Sequence, residues 1–235
     1  MARAGARRCV GRHGQRGFSL IEMMIGLAVG LFVLGGTLSV FVANVTNSRR
    51  MLVEARLHQD LRAAADLITR DLRRAGYWGH AIAGTVAVGS GSATMPNPYA
   101  AISTTASSVG YNYSAAANGT AAENDVLDAN EQFGFRIDGN GVVQMQTTAT
   151  TWQDLTDRNV MKVTALSIDG SASTAVPMGS ICSTPMPAGA ANYPYIVLRH
   201  YTLTLTAQAA GDSRVTRQLR TRVKARNDAF VGACA

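Results

Sequence analysis

The stretch Arg16-Gly17-Phe18-Ser19-Leu20-Ile21-Glu22 introduces an uncharged, mostly apolar segment over residues 23–48. Because about 20 apolar residues are enough for a helix to cross a bilayer, this segment predicts a membrane-spanning helix. Glu22 is the only charge within the apolar block that begins at Phe18. A carboxylate in such a block costs about 2.5–3.5 kcal/mol on insertion scales. Its presence therefore predicts a partner for Glu22 inside a membrane or an assembly.

A cleavable secretory signal is the main alternative interpretation of this segment. Such a signal has an apolar region of only about 7–15 residues that ends at a small-x-small cleavage site. Here the apolar block is longer, and the triplet Phe41-Val42-Ala43 at its far end begins with a bulky residue. The pattern favours a helix that stays attached as an anchor.

The positions of Gly17, Phe18 and Glu22 resemble the class III signal of type IV pilins and pseudopilins. In that family a basic leader ends in Gly, Phe follows, and Glu is the fifth residue of the mature chain. The resemblance implies that a prepilin peptidase cuts between Gly17 and Phe18 and methylates the new amine. It also implies that Glu22 pairs with the Phe18 amine of a neighbouring subunit. A positive N-terminus would compensate the internal carboxylate, and the helix dipole adds a little near that end.

Charge is concentrated before the apolar segment. Five of the 22 basic residues lie within residues 1–17, which contain no acid, and the other 17 nearly balance 15 acidic residues. The net charge of +7 thus belongs mostly to the leader rather than to a nucleic-acid surface. The positive-inside rule places the leader in the cytoplasm and the rest of the chain outside.

The predicted organisation has four parts: a cleaved leader over 1–17, a membrane or filament-core helix over 18–48, an amphipathic second half of that helix over 49–76, and a globular domain over 77–235. In the second half, apolar residues recur every three or four positions, which indicates one buried stripe. These residues are Leu57, Leu61, Ala64, Ile68, Leu72 and Ala75. A helix from Phe18 to Ala75 would be about 87 Å long, so we expect its apolar first half to project from the domain.

The globular domain is predicted to combine a loop-rich insert over 81–130 with an antiparallel sheet over 133–226. In the insert, 34 of 50 residues are Ala, Gly, Ser, Thr or Asn. Alternating apolar and polar residues indicate strands over 133–137, 142–147, 160–168, 201–207 and 215–225. The predicted fold class is therefore α+β, a pilin-like fold in which a long N-terminal helix packs on a C-terminal antiparallel sheet.

Two features of the helix extend the resemblance. The run from Asp71 to Tyr77, Asp-Leu-Arg-Arg-Ala-Gly-Tyr, resembles the corresponding stretch of PilW-type minor pilins. We expect Tyr77 and Trp78 to anchor the end of the helix to the domain. Gly26 and Gly30 form a GxxxG spacing that permits close packing against other pilin helices, although membrane helices commonly contain glycine in any case.

Two further groups of residues each allow more than one interpretation. Cys182 and Cys234 remain after loss of the leader and are predicted to form a disulfide, with two free thiols as the alternative. Four acidic residues could bind Ca²⁺, but their spacing is not that of an EF-hand, so a solvated acidic loop is favoured. They are Glu123, Asp125, Asp128 and Glu131.

A row of cations marks the last predicted strand. It contains Arg214, Arg220, Arg222, Lys224 and Arg226. The row could bind DNA phosphates, but aromatic residues for base stacking do not interleave with it, so a solvated edge or a subunit contact is favoured. Catalytic motifs and metal or cofactor signatures are absent from the sequence, and the prediction is a protein that is not an enzyme.

The resemblance implies a structural role, that of a minor type IV pilin in a pilus-initiating complex near the tip. Expected partners are other minor pilins, the major pilin, a tip adhesin, the inner-membrane assembly platform and the prepilin peptidase. The expected location is the inner membrane, with a periplasmic domain, and then the pilus. Alternatives are a minor pseudopilin of a type II secretion system, a DNA-uptake pilin and an enzyme tethered by a signal anchor.

Overall fold

The computed structural model describes residues 17–84, 96–115, 122–182 and 184–232. Within them, one long helix, α1, spans Leu20–Leu72 and is followed by eleven strands. These are β1 (Ile102–Thr104), β2 (Ser108–Asn112), β3 (Gln132–Ile137), β4 (Val143–Gln146), β5 (Trp152–Asp154), β6 (Met161–Asp169), β7 (Thr174–Pro177), β8 (Tyr195–Leu198), β9 (His200–Ala209), β10 (Asp212–Lys224) and β11 (Ala229–Val231). The helix is slightly shorter than predicted, because the chain leaves it after Leu72 and turns through 73–76.

The second half of α1 provides one side of the core. All six residues of the predicted apolar stripe are buried, and Ile68 and Leu72 are completely inaccessible to solvent. They share one hydrophobic cluster with side chains from two of the sheets. Residues spaced by three and four positions lie on the same side of a helix, which is why this stripe could be predicted.

The strands form three antiparallel sheets. Their orders are β1-β2-β3-β4-β5, β10-β9-β6 and β11-β8-β7. The α+β class, with a long N-terminal helix packed with an antiparallel sheet domain, is confirmed. The predicted single sheet over 133–226 is wrong, however, since the described strands extend from Ile102 to Val231 and divide into three sheets.

Two of these strands lie inside the segment that was predicted to be a loop-rich insert. In β2, Val109 and Tyr111 are buried and alternate with the small or polar residues Ser108, Gly110 and Asn112. The alternation is that of a strand with one buried face. Only two large residues carry it within a long run of small polar ones, so composition concealed the strand.

An irregularity in β6 keeps its apolar side chains on the core face. Met161 and Val163 are buried, and so are Leu166 and Ile168, although these two pairs differ in parity. The pairing of β6 with β9 shifts register between Val163 and Ala165. A bulge inserts one extra residue and thereby restores the inward direction of the later pair.

Candidate functional site

The predicted processing site lies at the start of α1. Gly17, Phe18 and Ser19 precede the helix, and the Phe18 side chain is 83% exposed. The Ser19 carbonyl accepts a hydrogen bond from the Met23 N–H at 3.1 Å. The bond between Gly17 and Phe18 therefore lies outside the helix, and processing there remains a prediction. The rest of the predicted leader, 1–16, lies outside the described residues.

Glu22 lies in the first turn of α1. A carboxylate at this end of a helix interacts favourably with the exposed backbone N–H groups and with the helix dipole. In the described part of the chain, Glu22 forms no ion pair. A compensating cation must therefore come from residues outside the described ones or from another molecule.

The apolar segment after the processing site is exposed along its length. Every large apolar side chain between 18 and 42 is at least 55% exposed. By length and composition the helix can cross a membrane, and its most apolar window has a mean hydropathy of 2.3. Apolar surface of this extent is covered by lipid or by other helices in a working protein.

Small residues on this segment leave open space around the helix. A Cβ atom built at Gly26, Gly30, Gly35 or Gly36 would meet no other atom within 4 Å. The GxxxG spacing therefore has no packing role within the described part of this chain. Packing of Gly26 and Gly30 against another pilin helix remains a prediction.

The end of α1 is tied to β2 by Asp71. The hydroxyl of Tyr111 donates a hydrogen bond to Asp71, that of Tyr113 donates at 3.4 Å, and Arg74 pairs with Asp71 at 3.5 Å. The Arg74 guanidinium lies 4.3 Å from the centre of the Tyr113 ring, which stacks on Phe133 at 3.8 Å. Burial and the neighbouring Asp71 carboxylate raise the pKa of Tyr111, so this hydroxyl remains a donor. The Asp and second Arg of the Asp-Leu-Arg-Arg-Ala-Gly-Tyr run thus join helix to sheet.

Gly76 and Arg199 complete this joint. Gly76 has φ +76°, and its N–H donates to the Asn112 carbonyl at 2.8 Å. The Arg199 side chain is 9% exposed and donates from Nη2 to the Ala100 carbonyl at 2.8 Å. A Cβ on Gly76 would lie 2.9 Å from Arg199 Nη1. The sequence did not predict a role for Arg199, because nothing next to it in the chain marks it.

Trp78 anchors the chain beyond the helix, as predicted. It is buried, and its indole N–H donates to Asp125 Oδ1 at 2.7 Å. The same carboxylate pairs with His80 Nδ1 at 2.9 Å, and this hydrogen bond raises the pKa of His80. Tyr77 contributes its backbone carbonyl, which accepts from the Ser114 N–H at 3.0 Å.

The acidic residues that follow accept hydrogen bonds from their own chain, and the prediction of a solvated loop is wrong for Glu131, which is buried, whereas Asp128 is exposed. Glu123 accepts the Gly79 N–H at 2.8 Å and the Tyr99 hydroxyl at 2.8 Å. Glu131 is buried and accepts the Ala115 N–H at 2.7 Å. Among the described residues, no group of three or more His, Cys, Asp or Glu side chains is placed to hold a metal ion. These contacts depend on long-range folding, so spacing alone did not indicate them.

The hydrogen bonds to Glu123 make the domain sensitive to acid. Burial alone would raise its pKa, but donors from Ser114, Tyr99 and two backbone N–H groups outweigh burial and lower the pKa from 4.5 to about 2. A group with a lowered pKa stabilises the fold above its unfolded-state value and loses that contribution as pH falls through the folded-state value. We therefore expect Glu123→Gln to lower the melting temperature at pH 6, with the difference from the native chain vanishing towards pH 2.

Thermal unfolding of the full chain in detergent, followed by circular dichroism from pH 6 to pH 2, measures this effect. Asp66→Asn provides the control, because Asp66 is an exposed carboxylate on α1. Its pH profile should run parallel to that of the native chain. A parallel profile for Glu123→Gln would contradict the assignment.

The five cations of the predicted row differ in their positions and in their partners. Arg220, Arg222 and Lys224 lie on one face of β10 and are exposed. Arg214 lies at the register shift of β10 and pairs with Asp212 at 3.1 Å, and Lys224 lies 3.8 Å from Asp228. Arg226 follows the strand, and its N–H donates to the Arg73 carbonyl. The prediction of a solvated or subunit-contact edge remains open, as does binding of DNA phosphates.

The cysteine prediction also remains open. Cys182 is buried, at 6% exposure, next to the short helical turn Gly179–Ile181. Cys234 lies outside the described residues. The disulfide between Cys182 and Cys234 therefore stays a prediction.

Comparison with known families agrees with both halves of this description. The family described as Prepilin peptidase-dependent protein B matches residues 50–225, about three quarters of the chain. The Prokaryotic N-terminal methylation motif matches residues 12–38, which include Gly17, Phe18 and Glu22. Searches of curated proteins and of solved structures found no match. The chain therefore belongs to the prepilin peptidase-dependent protein B family and is a type IV pilin-like protein.

Proposed function

We propose that this chain is a minor type IV pilin of the PilW type. Its role is structural: it joins other minor pilins in a complex that initiates the pilus near its tip and so supports adhesion and twitching motility. The major pilin, a tip adhesin and the inner-membrane assembly platform are the further partners. Catalysis has no place in this function, which consists of assembly.

One observation carries the proposal. An exposed apolar segment, the first half of α1, begins directly after a Gly17–Phe18 site, and the only charged residue of that segment, Glu22, has no ion-pair partner in the described part of the chain. In the membrane, that carboxylate costs about 2.5–3.5 kcal/mol on insertion scales. Pairing with the Phe18 amine of a neighbouring subunit would relieve the cost, because both charges are then compensated.

The mechanism follows in three steps. The apolar half of α1 holds the precursor in the inner membrane, with the leader in the cytoplasm and the globular domain in the periplasm. The prepilin peptidase then cuts before Phe18 and methylates the new amine. Finally the helix leaves the bilayer for a filament, where other apolar helices replace lipid at little cost, since lipid tails are as apolar as leucine side chains.

Mass spectrometry of the N-terminus, on protein sheared from the cell surface, tests the proposal. We expect a chain that begins with N-methylated Phe18 and that is present in the sheared filaments. An intact leader on the surface protein would contradict processing. Processed protein that never leaves the cell envelope would favour the alternative, a minor pseudopilin of a type II secretion system.

DNA uptake is not favoured as a second function. Two of the five candidate cations, Arg214 and Lys224, are paired with carboxylates of the same chain. Neutralised cations release fewer counterions from DNA and contribute less to binding. A gel-shift with the full chain at several salt concentrations measures any remaining affinity.

A further inference from the structure

The outer face of the five-stranded sheet, β1 to β5, carries a depression. Antiparallel pairing places directly opposed residues on one face. Gly110 of β2 pairs with Ser103 and with Gly134 of β3, and Gly134 pairs with Gln146. Two opposed positions in the middle of the sheet therefore have no side chain. The depression above them, named the glycine depression, has a volume of about 260 Å³.

Packing within the sheet explains why glycine is needed at only one of these two positions. A Cβ at Gly134 would lie 2.5 Å from the Val109 carbonyl oxygen, so the close approach of two backbones requires glycine there. A Cβ at Gly110 would meet the movable hydroxyl of Ser103 at 2.8 Å and otherwise only a carbonyl oxygen at 4.0 Å. Glycine weakens a strand interior and often marks the close approach of a ligand. Because packing does not require glycine at position 110, Gly110 indicates that a ligand occupies the depression.

The walls of the depression offer both hydrogen-bond donors and acceptors. The amides of Asn112, Gln132 and Gln146 and the hydroxyl of Ser103 line it. Gln146 Nε2 donates to the Ala149 carbonyl at 3.1 Å, which fixes the amide and turns its Oε1 towards the floor. Among the described residues that line the depression, none carries a charge.

A rigid row of side chains borders the depression on the same face. Arg136 Nε donates to Gln144 Oε1 at 2.9 Å, and Gln144 Nε2 donates to Asp154 at 2.8 Å. The Arg136 guanidinium lies 4.0 Å from the centre of the Trp152 ring. Because these polar groups already bind one another, the border is held in place before any ligand arrives.

We propose that the glycine depression binds one or two residues of a neutral oligosaccharide. Sugar hydroxyls donate and accept hydrogen bonds, as do the amide and hydroxyl groups of the walls. The volume lies just below the range of about 300–1,000 Å³ that is typical of sites for drug-sized ligands, which suits a short part of a glycan. This binding goes beyond the structural role proposed above and does not depend on filament assembly.

Other occupants fit these observations less well. An extended peptide would pair with the free edge of β1, whereas Gly110 and Gly134 belong to β2 and β3, each of which is paired on both sides. An anion would need a cation in the lining, and the nearby Arg136 is bound to Gln144 and Trp152. An apolar helix would need exposed apolar side chains in the lining, but Tyr111 is buried and Ile102 and Phe133 pack against the core.

Calorimetric titration of the full chain, purified in a sugar-free zwitterionic detergent, tests this inference. The probes are neutral tetrasaccharides: β-1,4-linked N-acetylglucosamine, β-1,4-linked glucose, α-1,4-linked glucose and β-1,4-linked galactose. We expect at least one to bind with a Kd of about 1 mM or lower. Gly110→Leu fills the depression and should weaken that binding at least about tenfold. Gly139→Leu is the matched control, because a Cβ at Gly139 meets no atom within 4 Å, and it should leave the Kd unchanged.

A second variant separates a lost site from a lost fold. Gln132→Ala removes one lining amide from a half-buried position and should weaken binding about fivefold to tenfold with little change in melting temperature. Glu22→Ala should bind the sugar as tightly as the native chain, so failure of the site and failure of assembly are distinguishable. Absence of binding for all four probes at about 10 mM would overturn the proposal. Unchanged affinity in folded Gly110→Leu would overturn it as well.

Discussion

Glu22→Ala should remove this chain from surface filaments while leaving it processed and anchored in the membrane. Breaking a buried ion pair by deleting one partner costs about 3–5 kcal/mol, because the other charge remains uncompensated. At about 1.4 kcal/mol per factor of ten, this corresponds to a loss of a hundredfold or more in incorporation. Removing the carboxylate also makes the helix more apolar, so membrane insertion should not suffer. Immunoblots of sheared filaments and of membranes measure the two quantities separately.

A carboxylate elsewhere on the same helix provides the control. Glu54 lies beyond the apolar segment and pairs with Arg217 of β10 at 2.6 Å. Partly exposed pairs contribute little to stability, about 0–1 kcal/mol, so Glu54→Ala should be incorporated normally. Normal incorporation of Glu22→Ala would show that this carboxylate has no assembly partner. Loss of both variants from filaments would point instead to a general defect of the helix.

Local patterns explain why the helix could be predicted so fully. The processing signal and the membrane segment depend only on neighbouring residues, and the buried stripe from Leu57 to Ala75 depends only on helical spacing. Strands β9 and β10 were predicted for the same reason, since Leu203, Leu205 and Val223 alternate with polar residues and are buried. In these elements the sequence period and the buried face coincide.

Contacts between distant residues explain what the sequence did not show. The division into three sheets depends on which strands pair, and a short strand such as β2 has only Val109 and Tyr111 to mark it. The glycine depression exists because Gly110 and Gly134, 24 positions apart, become opposed in neighbouring strands. Likewise, the hydrogen bond from the Tyr99 hydroxyl to Glu123 at 2.8 Å joins residues that are distant in the sequence, so the spacing of the acidic residues did not indicate it.

The run from Asp71 to Trp78 shows how a short motif can serve a structural joint. Asp71 binds two tyrosine hydroxyls of the first sheet, Leu72 and Ala75 are buried in the core, and Trp78 binds the Asp125 carboxylate. Each side chain thus fastens the end of α1 to a different part of the domain. The chain changes direction at Gly76. Its positive φ is unfavourable for residues other than glycine, and Arg199 occupies the space that a side chain would need.

Gly76→Val should therefore destabilise the domain strongly. At φ +76° an L-residue costs about 1–2 kcal/mol, and a β-branched one costs more. The new Cβ would also lie 2.9 Å from Nη1 of the buried Arg199, which would have to shift and weaken its bond to the Ala100 carbonyl. Together these effects should cost about 2–4 kcal/mol, and at about 2–4 °C per kcal/mol the melting temperature should fall by about 5–15 °C.

Gly211→Val is the matched control for this variant. Gly211 lies in the turn between β9 and β10, does not have a positive φ, and would place its Cβ in open space. A surface substitution changes stability by about 0.5 kcal/mol, so the melting temperature of Gly211→Val, measured on the full chain in the same detergent, should lie within about 2 °C of the native value. Equal effects of the two substitutions would mean that the joint does not depend on the left-handed turn. A large effect of Gly76→Val alone, reproduced in part by Gly76→Ala, would assign the loss to the backbone conformation and to the space that Arg199 occupies.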